Sequence, residues 1–333
     1  MGEPVVSVII ATRNERGGLA QCLDSLLAQD QPGAALEIII VDGASTDGTR
    51  DVANSFSERH ANVRMLDNPA QTTPHAFNIG IRASRGDAIA IVSAHATYAK
   101  DYLSKAARYL RCYPIDAVGG RMVTHAGAPT AFGRAIALVL SHRFGVGNAT
   151  FRTGCDQPTE VDTAAFACYK KAVFDRIGTF NEGLTRNQDI EFNLRLRRSG
   201  GRILLAPDMV SYYTARGTIS QFAAQAFYNG YWVTNSLRFA ERTFSLRHLI
   251  PFLFVLALGL GFLASTWTPL PLTAILIAYL LPAVVVSGAL ARRHGFALWP
   301  AVVFAFLTLH LAYGLGSGWG LIRALGRGQR PRP

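Results

Sequence analysis

Short apolar runs alternate with helical patterns over the first part of the chain. The runs Val5–Ala11, Leu36–Val41 and Ala88–Val92 are rich in β-branched residues, and a polar loop follows each, as expected of buried strands. Between them, Leu19–Leu27 and Ala76–Ala83 carry apolar residues at helical spacing. This alternation predicts an α/β fold with a Rossmann-like, mostly parallel sheet.

Polar loops follow the strands at the edge where such sheets bind ligands. We expect the loops Thr12–Glu15, Asp42–Thr49 and Ser93–Thr97 to line one crevice. Asp42 could accept a hydrogen bond from a nucleobase or a ribose hydroxyl, and the alternative is a turn aspartate. Asp47 is better placed to cap a helix. The sequence has no glycine-rich dinucleotide or P-loop motif.

The stretch Asn181–Gly201 places Asp189 between a polar loop and a segment of apolar and basic residues. Thr185 or Asn187 before this segment, and paired glycines after a basic last turn, favour a helix. The apolar residues nevertheless alternate with polar ones, which is typical of a strand. Asp189 is the candidate catalytic base.

Charge is distributed unevenly in a chain of 333 residues with a formal net charge of +11. From Arg216 onward there are ten arginines and one glutamate, which account for +9 of that charge. This excess favours contact with anionic lipid headgroups or with a phosphorylated lipid. The remainder has no basic stripe interleaved with aromatics, which argues against nucleic acid as a partner. The four cysteines form no CxxC pair and predict neither a disulfide nor a metal site.

Long runs after Leu246 are almost uncharged. The chain is therefore expected to contain four parts: an α/β domain over 1–215, an amphipathic interface connector over 216–246, membrane helices over 247–323 and a basic tail over 324–333.

Two apolar runs, Leu249–Ala264 and Leu270–Leu290, are candidates to cross a bilayer, the first only if its flanks contribute. By the positive-inside rule the basic residues around them are cytoplasmic, and these are Arg242, Arg247, Arg292 and Arg293. The last apolar run, Phe296–Ile322, could cross once, or its glycines could break it into a re-entrant pair. We expect the re-entrant form, because it returns the basic tail to the cytoplasm.

Six segments, in their order and spacing, resemble the family 2 glycosyltransferases with the GT-A fold. They are VSVIIATRNE, VDGASTDGT, HAFNIGIRASRGDAIAIVSAHATY, VGG at Val118–Gly120, VDTAAFACYKKAVFDRIGTFNEG and RNQDIEFNLRLRRSGG. Within that family the chain is most similar to the bacterial succinoglycan-type exopolysaccharide enzymes. The resemblance covers about the first 240 residues.

The resemblance implies a GT-A catalytic domain over 1–215 that binds a nucleotide-sugar donor. The substrate-binding residues it implies are Ala11, Thr12, Arg13, Glu15, Asp42, Asn78, Ser93, Ala94, Asp162, Gln188, Arg216 and Trp232. In this set Asp162 shapes the acceptor and sugar pocket, or is a structural loop residue. Arg216 and Trp232 lie at the membrane side of the cleft, although the aromatics of this connector could instead pack a core.

The segment Ser93-Ala94-His95 stands where the family has Asp-x-Asp, whose last carboxylate binds a divalent cation. Ser93 can still hydrogen-bond a ribose hydroxyl. Neutral imidazole is a good ligand for Mn²⁺ and a poor one for Mg²⁺, so we expect a divalent cation, with Mn²⁺ favoured over Mg²⁺, held by His95. The alternative is a polar His95 beside the diphosphate with weak or no metal binding.

Gln188-Asp189 matches the family's Glu-Asp base motif, so the resemblance places Asp189 at the N-terminus of a helix. A single base that activates an acceptor hydroxyl for direct displacement implies inversion at the anomeric carbon. Glu191 is the alternative base.

The function expected is an inverting transferase, with a UDP-sugar expected as donor. Its acceptor is a polyprenyl-linked or other lipid-linked saccharide of an extracellular or cell-wall polysaccharide. We expect a multi-pass protein of the plasma membrane with a cytoplasmic catalytic domain and leave its oligomeric state open. The alternatives are a processive synthase and a non-catalytic scaffold. The first is disfavoured because the segment from Gln225 lacks the Arg-Trp of processive enzymes, and the second is suggested by Ser93 and His95.

Overall fold

A computed structural model describes residues 6–30, 36–238 and 246–326 of the chain. The expectations for Val5, Arg242 and the tail beyond residue 326 lie outside these residues. The chain forms two compact units, one up to Val123 together with Thr150–Tyr213, and the other from Thr124–Ala149 together with the chain after Tyr213. Residues 124–149, which fall inside the predicted catalytic segment, thus group with the C-terminal helices.

The strands are β1 Val6–Thr12, β2 Leu36–Asp42, β3 Val63–Asp67, β4 Ala88–Ser93, β5 Ala96–Tyr98, β6 Ala117–His125, β7 Thr159–Glu160, β8 Cys168–Lys170 and β9 Ile203–Thr214. The helices are α1 Arg16–Leu27, α2 Thr49–Arg59, α3 Thr73–Ala83, α4 Tyr102–Cys112, α5 Ala131–Leu140, α6 Arg143–Val146, α7 Thr150–Thr153, α8 Ala172–Ile177, α9 Gln188–Arg198, α10 Ile219–Asn235, α11 Ile250–Ala264, α12 Leu270–His294 and α13 Trp299–Gly326.

One mixed sheet, with strand order β3-β2-β1-β4-β8-β6-β9-β5 and with β7 beside β9, forms the centre of the first unit. The pairs among β1, β2, β3 and β4 are parallel, whereas β8 pairs antiparallel with both β4 and β6. The α/β fold is confirmed, and the parallel part of the sheet is the part that alternates with helices. The register places Thr12 opposite Asp42 and Ala11 opposite Ser93, so the expected ligand-binding loops begin at one edge.

Strand β1 is buried on both faces because its side chains alternate between two apolar clusters. Val8 and Ile10 pack with α1, α2 and α4, whereas Ile9 packs with residues of α3 and α9. A strand covered by helices on both sides needs apolar residues at every position, which is why its sequence is nearly continuous in apolar residues.

The segment after Asn187 is the helix α9, so the helix prediction is confirmed over the strand pattern. Phe192 and Leu196, four residues apart, lie on one helical face and are both fully buried. The Phe192 ring packs 4.6 Å from that of Phe180. Gly200 follows the helix with φ of 79°, the left-handed conformation that commonly ends helices.

In the second unit, α13 runs uninterrupted from Trp299 to Gly326, so the predicted break at its glycines is wrong. Gly316 and Gly320 instead lie against backbone carbonyls of α10, and Gly314 lies against a carbonyl of α11. Thr234 Oγ1 also donates to the Ser317 carbonyl at 2.7 Å. Close packing at small residues offsets the helical cost of glycine, which is about 1 kcal/mol relative to alanine.

Replacing Gly316 by alanine is expected to destabilise this helix pair, because the added Cβ would collide with the Phe227 carbonyl. We expect a loss of about 1–3 kcal/mol in the free energy of unfolding, measured by thermal unfolding in detergent. Gly259→Ala in α11 is the matched control, since nothing lies within 4 Å of its new Cβ. That variant should be neutral or stabilising, and equal shifts in the two variants would contradict the packing described here.

Two helices among the described residues are long and apolar enough to cross a membrane by length and composition: Leu270–His294 and Phe296–Gly326, the latter including the turn before α13. Their mean hydropathies are 2.3 and 1.8. The helix α11 has only 15 residues, which at 1.5 Å per residue gives about 22 Å. That is shorter than a hydrocarbon core of about 30 Å.

Candidate active site

Hydrogen bonds join the loops after β1 and β2 into one rim. The backbone N–H of Glu15 donates to Thr49 Oγ1 at 2.8 Å, and that of Thr46 donates to Asn14 Oδ1 at 2.9 Å. Asn14 and Ala44 both have φ of 56°, and Gln71 after β3 has φ of 59°. Left-handed backbone at non-glycine residues is costly and clusters at functional loops. The rim therefore has strained backbone at the expected ligand-binding edge.

Asp42 is fully buried beneath this rim. Its carboxylate accepts hydrogen bonds from Thr12 Oγ1, from the Ser45 backbone N–H and hydroxyl, and from Arg50 at 2.9 Å. Burial works against the charged form, but the bonds from Ser45 and Arg50 outweigh it and lower the pKa of Asp42. As it lies, Asp42 orders the loop through these bonds, and its contact with a nucleobase stays a prediction.

Thr12 is also buried, whereas Ala11 is half-buried and Arg13 is exposed. Arg13 donates to the Gln71 carbonyl at 3.3 Å, which connects the loops after β1 and β3. Asp47 accepts from the Thr49 backbone N–H at the start of α2, so its expected role at a helix start is confirmed.

His95 and Glu15 face each other where β4 ends. The distance from His95 Nδ1 to Glu15 Oε1 is 3.2 Å, with 41% and 29% of the two side chains exposed. Ser93 is half-buried and Ala94 is buried against Gly18, whose missing side chain leaves room for the Ala94 carbonyl. An imidazole and a carboxylate fit a transition-metal ion. The described residues include no cluster of three or more His, Cys, Asp or Glu, so these two side chains alone would not complete the coordination of such an ion.

Asp189 is exposed in the first turn of α9. Protein packed around its carboxyl raises the pKa of Asp189 by desolvation, and hydrogen bonds from the backbone N–H groups of Ile190 and Asp189 oppose this only in part. A carboxyl group accepts a proton only in its charged form, the carboxylate. Because its pKa is raised, Asp189 becomes protonated at a higher pH than an ordinary aspartate does.

Glu191, the alternative base, is buried and tied to Arg195. The distances are 2.9 Å from Arg195 Nε to Glu191 Oε1 and 3.1 Å from Arg195 Nη2 to Glu191 Oε2, which makes the pair bidentate. Only 9% of the Glu191 side chain is exposed. A carboxylate held in this way is poorly placed to take a proton from a substrate.

Asn78 is buried and engaged by protein partners, and its contact with substrate stays a prediction. Its side chain exchanges hydrogen bonds of 2.9 Å with the backbone N–H and carbonyl of Phe180, and it donates to Glu182. His75 on the same helix pairs with Glu182 at 3.1 Å. Helix α3 thus fixes the loop that leads to Asp189.

The other predicted residues are dispersed. Gln188 is half-buried, and its enclosed Oε1 accepts no hydrogen bond from the described residues. Asp162 is half-buried in the first unit, next to Thr163, which accepts from the buried Asn193 of α9 at 2.8 Å. Arg216 is exposed and Trp232 half-buried, and both belong to the second unit. Their contributions to a substrate site stay predictions.

Sequence reasoning missed an arginine that contacts Tyr213. Arg152 in α7 stacks on the rings of Phe151 and Tyr213, and Tyr213 packs edge-on against His95 at 5.9 Å. No motif in the segment around Arg152 indicates its contact with Tyr213, because the two residues are 61 positions apart in the chain.

A model of the family described as glycosyl transferase family 2 matches residues 7–178, just over half of the chain. The chain belongs to glycosyl transferase family 2. The predicted resemblance is thereby confirmed, and the chain is a glycosyltransferase of this family. The matched segment ends before α9, so Asp189 owes its assignment to the motif and to the geometry described above.

Two relatives are similar to this glycosyltransferase over most of its length. It is 26% identical over 315 residues to the succinoglycan biosynthesis protein ExoA of Rhizobium meliloti, which covers 93% of this chain and 92% of the relative. It is 29% identical over 261 residues, 76% of this chain and 79% of the relative, to an enzyme of Methanococcus voltae. That enzyme is named dolichyl N-acetyl-alpha-D-glucosaminyl phosphate 3-beta-D-2,3-diacetamido-2,3-dideoxy-beta-D-glucuronosyltransferase.

Solved structures share the fold of this glycosyltransferase. The mannosyltransferase PcManGT from Pyrobaculum calidifontis, in complex with GDP-Man and Mn²⁺, superposes with a TM-score of 0.61 at 20% identity, covering 96% of this chain and 88% of that one. Residues 1–349 of S. aureus TarS, in complex with UDP-GlcNAc, give a TM-score of 0.51 at 19% identity, with coverages of 98% and 93%. At these identities the likeness establishes the fold alone.

Proposed function

We propose that this chain is an inverting glycosyltransferase that moves a sugar from a nucleotide sugar to a lipid-linked saccharide acceptor. The reaction would belong to the synthesis of an extracellular or cell-wall polysaccharide. The observation that carries the proposal is Asp189, an exposed carboxylate in the first turn of α9, beside a Glu191 that is already paired. One available base is what direct displacement requires.

In the proposed step, the acceptor hydroxyl oxygen forms a bond to the anomeric carbon of the donor sugar. The bond from that carbon to the diphosphate oxygen breaks, and its electron pair leaves with the nucleoside diphosphate. The hydroxyl proton passes to the Asp189 carboxylate. Because the hydroxyl attacks from the face opposite the leaving group, the anomeric configuration inverts.

The rim built by the loops after β1, β2 and β3 would hold the nucleotide. Asp42 orders this rim from below, and the exposed Arg13 and the half-buried Glu15 and Ser93 are available to a ligand. The likeness to proteins solved with GDP-Man and with UDP-GlcNAc supports a nucleotide sugar as donor. We expect a UDP-sugar.

The β-linkage in the name of the Methanococcus relative is the product expected when an α-linked donor reacts with inversion. The same name describes a dolichyl phosphate-linked acceptor, and this supports a lipid-linked acceptor here.

A divalent cation would be held by His95, with Glu15 as its neighbour, and would neutralise the donor's diphosphate. The chemistry of these two ligands favours Mn²⁺ over Mg²⁺. The complex of PcManGT with GDP-Man and Mn²⁺ supports the use of a cation.

The proposed metal preference predicts that wild-type transfer is faster with Mn²⁺ than with Mg²⁺ at equal concentration. His95→Asp replaces the imidazole by a hard oxygen ligand, so the ratio of the two rates should move toward Mg²⁺. His60→Asp, at the end of α2, is the control and should leave the ratio unchanged. Full activity of the wild type in EDTA would contradict a role for any divalent cation.

The helices α12 and α13 would attach the protein to the plasma membrane as a multi-pass protein, with the catalytic domain in the cytoplasm. Large apolar side chains of α11 and α12 are exposed, among them Phe262, Leu270 and Leu281 at 68%, 72% and 62%. Such a surface is unfavourable in water and favourable in lipid. Attachment would confine the enzyme to the surface on which a lipid-linked acceptor diffuses.

The experiment that tests the function is a donor panel with the full-length protein in detergent or in vesicles that contain a polyprenyl-diphosphate saccharide. We expect one nucleotide sugar, among UDP-linked and GDP-linked candidates, to lose its sugar to the lipid and release a nucleoside diphosphate. If no donor supports transfer and none is hydrolysed, the non-catalytic alternative is favoured.

A further inference from the structure

One histidine of helix α3 connects the rim to the loop that leads to Asp189. His75, in the first turn of the helix, uses both of its ring nitrogens. Its Nε2 lies 3.1 Å from Glu182 Oε2, and its Nδ1 lies 2.7 Å from Thr72 Oγ1. A carboxylate only accepts hydrogen bonds, so Nε2 carries the ring proton, and the Thr72 hydroxyl donates to Nδ1 of the neutral ring. The imidazole is therefore held from both sides.

The hydroxyl of Thr72 bonds His75 in place of a helix cap. Thr72 directly precedes the first turn of α3, where a threonine hydroxyl usually accepts from a backbone N–H of that turn. Within the described residues it makes no such capping bond. The start of α3 is therefore less stable than its sequence allows. A local rule that a protein breaks in this way is expected at a functional position.

On the rim side, hydrogen bonds continue from Thr72 to the buried Asp42. The side-chain amide of Asn68 donates to the Thr72 carbonyl at 2.9 Å. The backbone N–H of Asn68 donates to the Asp42 carbonyl at 2.8 Å. Asn68 is itself buried, so this part of the rim is well anchored. His75 is thus connected to the loops that would hold the nucleotide.

On the other side, Glu182 belongs to the loop that runs into α9. One of its carboxylate oxygens pairs with His75, and the other accepts from the buried Asn78 at 2.9 Å. The chain directly after it is also anchored, because the side chain of Leu184 is fully buried. Two side chains of α3 therefore fix a carboxylate that lies seven residues before Asp189.

We infer that His75 is a positioning residue for the transfer reaction: through Glu182 it ties the loop that leads to Asp189 to the rim that holds the donor. This inference rests on the proposed function. A base must lie at a fixed place relative to the anomeric carbon, and a displacement of about 1 Å costs about 100-fold in rate. His75 acts through Glu182 and exchanges no proton with either substrate.

The test is His75→Leu in the full-length protein, which removes both hydrogen bonds of the ring. We expect kcat for transfer to the lipid-linked acceptor to fall by about 10- to 100-fold. The dissociation constant of the nucleotide sugar, measured by calorimetry, should stay unchanged, because Asn68 and Asp42 keep their bonds. The two paired side chains are 33% and 42% exposed, and such a pair adds little stability, so thermal unfolding should change little.

Two further variants separate positioning from a general structural effect. His75→Gln keeps a side-chain N–H that can donate to Glu182, so it should recover most of the lost kcat. Glu182→Ala should lower kcat at least as much as His75→Leu does. Combining these two changes should cost nothing further, because both break the same link. Additive losses, or losses that follow donor affinity and thermal stability, would contradict the positioning role.

His60→Leu is the matched control, since His60 is also half-buried but stacks on Phe56 at the end of α2. It should keep the wild-type kcat. A wild-type kcat in His75→Leu would overturn the assignment, as would a loss confined to donor affinity. A wild type that transfers no sugar from any donor would instead overturn the proposed function, and this assignment with it.

Discussion

Asp189→Asn is expected to abolish measurable transfer while the donor still binds. Amide nitrogen and oxygen cannot take the proton of the acceptor hydroxyl, and general-base catalysis is worth about 10²–10⁴-fold in rate. The side chain keeps its shape and its place in the first turn of α9, so the nucleotide site should be undisturbed. The measurement is the transfer rate with a labelled nucleotide sugar, together with the donor dissociation constant by calorimetry.

Asp175→Asn is the matched control for this variant. Asp175 is also an exposed aspartate in the first turn of a helix, α8, and it should retain wild-type transfer. If Asp189→Asn kept its activity, the base would have to lie elsewhere. A parallel loss of donor binding would show that Asp189 holds the nucleotide and does not act as a base.

Arg195→Met is expected to produce the largest loss of stability among single changes near the site. It leaves the buried Glu191 without the bidentate partner that now satisfies both of its oxygens. It also removes donors to the carbonyls of Ile177 and Thr179 at the end of α8. Breaking one side of a buried ion pair costs about 3–5 kcal/mol, so thermal unfolding should begin at a clearly lower temperature.

Three further variants separate the ion pair from general effects on α9. Arg197→Met changes an exposed arginine of the same helix and should cost little. Glu191→Gln combined with Arg195→Met removes both charges and should recover part of the lost stability, because no buried charge is left unpaired. Glu191→Gln alone should keep transfer activity. Equal stability of Arg195→Met and Arg197→Met would contradict the structural role given to the pair.

The parallel strands β1, β2 and β4 and the helices α1 and α3 could be predicted from the sequence, because the apolar runs of these strands are short, continuous and followed by polar loops. Strand β1 is an example, since every residue from Val6 to Ile10 is buried. Periodicity alone could not decide whether the segment at α9 forms a helix or a strand. Phe192 and Leu196 fit both patterns, and only their joint burial on one face shows the helix.

The limits of sequence reasoning at the site have a common physical cause. Asp42 and Asn78 are polar residues with motif positions, but whether such a residue faces a ligand depends on partners from elsewhere in the chain. Arg50 and Ser45 engage Asp42, and Phe180, 102 positions away, engages Asn78.

The glycines of α13 show a second limit of sequence reasoning. Glycine weakens a helix when it is exposed, and it also permits helices to approach closely when it lies at an interface. The sequence does not distinguish the two cases. Gly316 and Gly320 are buried against α10, so their packing maintains a continuous helix where a break was expected.

The anomeric configuration of the product tests the central claim most directly. The full-length protein would be supplied with an α-linked nucleotide sugar from the donor panel and a lipid-linked acceptor, and the new linkage would be read from its proton coupling constant by NMR. Attack by a hydroxyl that Asp189 deprotonates predicts a β-linked product. An α-linked product would contradict direct displacement, and with it the role proposed for Asp189.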